Sequence, residues 1–189
     1  MSVNCGQIEQ AMKDKHPAES KQYSTKPIDS TIVSEPAVAY GYVQDATTMR
    51  GIGIMGMQGK KDFAAIQSDN DMINIIRAGI PKQAMTHLMD VADISLSEMA
   101  AIVHTSDRTL RRYTANQKLS QEQSERMIEM ARLYSRGEEV FGTMDKFKQW
   151  MDNTILALGN KKPKEYLDTS MGINMLMNEL GRIEHGIFA

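Results

Sequence analysis

A single cysteine, Cys5, among 189 residues excludes a disulfide framework and any zinc site built from clustered cysteines. Aromatic residues are scarce, at 6%, and three of the five prolines, Pro17, Pro27 and Pro36, crowd the first fifth of the chain. Neither sign of charge dominates: 22 Lys and Arg stand against 24 Asp and Glu, a formal net charge of −2. That balance excludes a uniformly basic coat for nucleic acid and an acidic mimic of one, but leaves room for a local patch. No window reaches the roughly 18 consecutive apolar residues of a membrane span. The N-terminus lacks the charged start and apolar run of a secretory signal. These absences together predict a soluble cytoplasmic protein. What is present is a 41% apolar content, enough for a core over most of the length, and an unusual 16 methionines.

Residues 1 to about 35 are polar and follow no helical or strand period, which predicts a mobile arm. Residues 37–43 have β-type composition, and residues 51–59 alternate Gly with Ile or Met, so a short hairpin between 37 and 66 is one expectation. The N-terminal extension, residues 1–67, is thus expected to be poorly ordered or partly β. From residue 68 the pattern is helical. Ser68 or Asp69 can cap a helix carrying Met72, Ile73, Ile75 and Ile76. Pro81 suits the first turn of the next helix, whose buried face is Ala84, Met85, Leu88 and Met89. Ser95-Leu96-Ser97-Glu98 and Ser120-Gln121-Glu122-Gln123 have the form of capping boxes. The second opens a longer helix with Met127, Met130, Ala131 and Tyr134 in register, ended by Gly137 or Gly142. Residues 143–189 read as a small separate unit. Met144, Phe147, Trp150 and Met151 share a helical face, Pro163 opens a short helix, and a last helix carries Leu176, Leu180 and Ile183 before Gly186.

Little here supports catalysis. Gly51-Ile52-Gly53-Ile54-Met55-Gly56 has the spacing of a dinucleotide loop, but no apolar strand feeds it and Gly59-Lys60-Lys61 follows it. A Gly-rich loop or irregular strand is the better account. None of His16, His87, His104 and His185 lies three or four residues from another, so no helical metal pair exists. His87 and His104 read as surface or helix-end residues. Cys5 has no base near it in sequence. No catalytic residue, cofactor or metal ligand is assigned.

Two segments are informative. Ser95 to Val103 and Ser106 to Ala115 are short helices joined by the polar turn His104-Thr105, the layout of a helix-turn-helix. With Leu110 inward, Ser106, Arg108, Thr109, Arg111 and Arg112 line the outer and leading face of the second helix. Arginine suits this position, because its planar fork grips phosphates and reads guanine. Near-neutrality holds in 1–70, 71–142 and 143–189 alike, so the basic signal exists only at the scale of that helix. The second segment is the C-terminus, where Arg182, Glu184 and His185 precede an apolar Ile187-Phe188-Ala189 tip. The tip either folds back as a helix cap or probes a partner's pocket.

In these residues the sequence resembles antitoxins of the Xre/MbcA/ParS family, the partners of RES-domain toxins. The likeness covers about residues 69–189. It is carried by Leu180 to Ala189, by Ala157-Leu158-Gly159 with Pro163 and Leu167-Asp168-Thr169, by Trp150, by Arg108-Thr109-Leu110-Arg111-Arg112, and by Leu119-Ser120. The resemblance implies an all-α protein that is not an enzyme. A helix-turn-helix DNA-binding and dimerisation domain, 68–142, would precede a toxin-binding domain, 143–189. It further implies a homodimer or higher assembly around a toxin that degrades NAD⁺ or transfers its ADP-ribose. Arg182, Glu184, His185, Ile187, Phe188 and Ala189 would then block the toxin's pocket, while the basic helix binds operator DNA. A stand-alone transcriptional regulator is the alternative.

Overall fold

The computed structural model describes residues 46–64 and 66–186. The expected N-terminal arm, Cys5, the β-like segment 37–43 and the tip residues Ile187, Phe188 and Ala189 lie outside the described residues. Within them the fold is all-α. Nine α-helices follow in order: α1 Ala46–Ile54, α2 Lys61–Ala64, α3 Asp69–Ala78, α4 Lys82–Ala92, α5 Leu96–Ile102, α6 Asp107–Arg112, α7 Gln121–Phe141, α8 Met144–Asp152 and α9 Ser170–Glu184. Two 3₁₀ turns, Leu156–Leu158 and Pro163–Tyr166, separate α8 from α9. No strand occurs among the described residues, only isolated bridges of Pro81 with Lys118 and of Ile155 with Lys161.

Helix starts follow from local chemistry. The free N–H groups of a first turn need acceptors, and hydroxyls supply them. Ser68, Ser106, Thr143 and Thr169 cap α3, α6, α8 and α9 in this way. Ser95 with Glu98, and Ser120 with Gln123, form complete capping boxes on α5 and α7. Gly142, left-handed at φ 79°, ends α7. The helix therefore runs straight through Gly137, one of the two stops expected for it.

The long α7 is the spine on which α1, α3, α4, α8 and α9 pack. Its Met127, Met130, Ala131, Leu133 and Tyr134 are buried. Two glycines let neighbours approach closely. A Cβ on Gly51 would stand 3.0 Å from the Ala131 carbonyl oxygen, and one on Gly137 would sit 2.4 Å from the Phe147 ring. Phe147 uses that space to meet Tyr134 edge-on, with centroids 5.2 Å apart, and to stack on Trp150 at 5.8 Å.

Three expectations change. The Gly/Ile alternation is neither hairpin nor loop over Ala46–Ile54 but a helix, α1. Ile52, Met55, Met57, Phe63 and Ile66 enter the same core as the helices after residue 68. Of the four apolar residues expected on α3, Ile73 is exposed, because the helix is held through Met72 with Ile75 and Ile76 beside it.

Candidate functional site

The helix-turn-helix is α5, a tight turn and α6. Met99, Ala100, Ile102 and Leu110 anchor the pair in the core. The turn closes through Thr105 N–H to the Ala100 carbonyl at 2.9 Å, with His104 left-handed at φ 51°. Ser106 Oγ accepts from Thr109 N–H at 3.1 Å, and the two hydroxyls lie 2.8 Å apart. These two residues, read as DNA-facing, thus also start the helix that carries the arginines. Arg108, Arg111 and Arg112 are exposed and have no ion-pair partner among the described residues. The segment after α6 is laced to the start of α4. Lys82 and Gln83 N–H donate to the Gln117 and Ala115 carbonyls, and Leu119 N–H to Ile80, all at 2.9 Å. Buried Ser124 Oγ receives the Ile80 N–H at 2.9 Å. The basic face therefore stands on a braced platform.

The second group lies at the end of α9. Gly172, Ile173, Leu176 and Leu180 form its buried face. Arg126 Nη1 donates to Glu129 at 3.0 Å and to Ser170 at 3.3 Å, tying α7 to the first turn of α9. At the other end Arg136 bonds Glu184, and Arg136 also holds Glu139 at 3.0 Å, which in turn holds Arg50 at 3.2 Å. The Arg136 guanidinium, and after it Arg50, keep the Glu139 carboxyl below its usual range. Arg182 pairs with Glu179 at 3.1 Å, and His185 is exposed at the helix end. The structure brings Arg182, Glu184 and His185 together, with Arg182 and Glu184 already in ion pairs. The three tip residues beyond them lie outside the described residues.

Two contacts that sequence reasoning missed join these regions. His104, in the turn before α6, donates its Nε2–H to the Asp168 carbonyl at 3.0 Å. Lys164 donates to the Asp93 carbonyl at 3.2 Å and pairs with Asp152 at 2.9 Å. Each spans more than 60 residues of sequence, and no local pattern signals either. The cleft they flank has a volume of about 410 Å³ and is lined by Ile94, Ile102 and Leu167 with charges of both signs. Among the described residues no three His, Cys, Asp or Glu side chains are grouped to hold a metal ion, and no helix is long and apolar enough to cross a membrane.

Comparison with known proteins matches two consecutive segments of the chain, which meet within α7. Residues 71–132 match the Antitoxin Xre-like helix-turn-helix domain, and residues 136–186 match the Antitoxin Xre/MbcA/ParS C-terminal toxin-binding domain. Among similar proteins, Antitoxin Xre of Photorhabdus laumondii subsp. laumondii is 30% identical over 115 residues, covering 60% of this chain and 78% of that one. Antitoxin Xre of Yersinia enterocolitica is 29% identical over 121 residues, covering 62% and 81%. The Prs ADP-ribosylating antitoxin of a Sphingobium species is 27% identical over 129 residues, covering 63% and 81%.

Proposed function

Because the chain belongs to the Xre antitoxin family, we propose that it binds and neutralises a RES-domain toxin that consumes NAD⁺, and that it represses its own operon through α6. The observation that carries the toxin half is α9. It is fixed to α7 along one face and carries Arg182, Glu184 and His185, exposed, at its end, with Gly186 separating them in sequence from Ile187, Phe188 and Ala189. A pocket built for a pyrophosphate is cationic and welcomes a carboxylate such as Glu184. An apolar Phe188 would exclude the substrate. The Sphingobium relative, named for ADP-ribosylation, supports a toxin that acts on NAD⁺. Deleting Ile187 to Ala189 should restore toxicity in cells that co-express the toxin, with the antitoxin's circular dichroism unchanged. Full protection by the shortened chain overturns the plug. A harmless product from the adjacent reading frame removes the toxin reading altogether.

The unpaired arginines support operator binding. One copy offers few phosphate contacts, so useful affinity calls for a dimer on a palindrome. Arg111→Ala with Arg112→Ala should abolish a salt-sensitive mobility shift on the DNA upstream of the gene. Each lost phosphate contact flattens the log–log salt slope by about 0.9. An unchanged shift assigns DNA binding to another element.

A further inference from the structure

Four large apolar side chains are exposed among the described residues: Ile73, Leu156, Met171 and Met175. Three of them fall in the segment matched as toxin-binding, although it is the shorter of the two matched segments. Met171 is 84% exposed and Met175 38%. They stand four residues apart on α9, so both leave the helix on one face, a turn apart. Continuing at helical spacing, that face carries Asn178, Arg182 and His185, all exposed. The opposite face, Ile173, Leu176 and Leu180, is buried. The outer stripe of α9 is therefore graded: apolar at its start, neutral in the middle and polar at its end, where Arg182 carries the charge. From Met171 to His185 it spans about 21 Å at the usual helical rise, within the reach of one ordinary protein interface.

We propose that the Met171–Met175 face is the apolar anchor of the toxin interface, seated against an apolar hollow on the toxin surface at a distance from the pocket that receives the tip. This rests on the toxin-binding reading above. A single partner lying along α9 meets the methionines and then Arg182 and His185, so the apolar anchor and the end of the helix belong to one continuous surface. Unbranched thioether side chains adapt their shape to a partner, as a contact surface on a preformed helix requires. The same face fits other occupants poorly. It bears no lysine, and its one arginine is paired with Glu179, so nucleic acid finds no free cation there. A second copy paired antiparallel would lay the charged end on the apolar end. A parallel pair would set Arg182 against Arg182.

The test uses the full chain and a catalytically inactivated form of the toxin from the adjacent reading frame, with affinity read by calorimetry. Met171→Glu with Met175→Glu should weaken binding by about tenfold or more, as loss of an interface anchor does. Because both positions are exposed, its melting temperature should stay within about 2 °C of the parent. Met171→Leu with Met175→Leu should keep the affinity, as should Lys146→Glu on the exposed surface of α8. Parent-like affinity in the Glu double variant overturns the anchor while leaving the toxin reading intact. So does conversion of a dimer to a monomer by light scattering with toxin affinity unchanged, which would make the stripe a self-association face. Failure of the parent chain to bind overturns both.

Discussion

Side chains that met the interior decided this structure one position at a time, and two of them make firm tests. Gly137 sits inside α7 because Phe147 occupies the space its Cβ would need, 2.4 Å away. Gly137→Ala should destabilise the fold by about 1–3 kcal/mol, the usual cost of forcing a methyl into a packed core. A melting temperature equal to the parent's would show that Phe147 relaxes freely. Tyr134 is fully buried, and its hydroxyl has no hydrogen-bond partner among the described residues. Burial pushes that phenol above its ordinary range, so it stays neutral. Tyr134→Phe removes a desolvated, unbonded group, which by itself costs about 1–3 kcal/mol, and should leave the melting temperature unchanged or higher. A clear loss would reveal a partner for the hydroxyl. At this scale the exposed arginines of α6 were legible in the sequence, because residue type and spacing carry them. The exposure of Ile73, Met171 and Met175 was not, because helical period names a face without saying which neighbour covers it.

Elements were legible where they begin by local rules. Ser95 and Ser120 announce α5 and α7 through acceptors three residues from their partners, and both boxes form as expected. Ser95→Ala should cost about 1 kcal/mol in chemical denaturation. Glu98 adds a pH dependence. The Ser95 hydroxyl, and then the Ser95 N–H, hold its carboxyl below the ordinary value of 4.5. The charged form is favoured in the folded chain. Its stabilising contribution is therefore complete above pH 4.5 and is lost as pH falls through the lower folded value. Glu98→Gln should flatten the acid limb of a plot of melting temperature against pH. An unaltered limb would assign that limb to other carboxylates, of which Glu139, shifted the same way by Arg136, is one. Helix α1 was illegible for the opposite reason. Its glycines weaken any isolated helix, and only the approach of Gly51 to the Ala131 backbone makes them useful.

Over the whole molecule, the matched domains begin at residue 71, yet the core begins earlier. Ile52, Met55, Met57, Phe63 and Ile66 are each buried. At about 1.5–3 kcal/mol per buried side chain, five of them rival the entire 5–15 kcal/mol stability of a typical domain. A chain starting at residue 68 should therefore bind a hydrophobic dye and lose its cooperative melt. A sharp transition at the parent temperature would show that the upstream helices are dispensable. The ion-pair relay from Arg50 through Glu139 and Arg136 to Glu184 has a different consequence. If Glu184 meets a cation on the toxin, it leaves one guanidinium for another, and the number of neutralised charges barely changes. Association through the tip is then an exchange reaction, nearly indifferent to ionic strength. The operator binding proposed for the unpaired arginines would release counterions and weaken steeply with salt. Raising potassium chloride should strip the protein from DNA while leaving it on its toxin, so the two activities part along a single experimental axis.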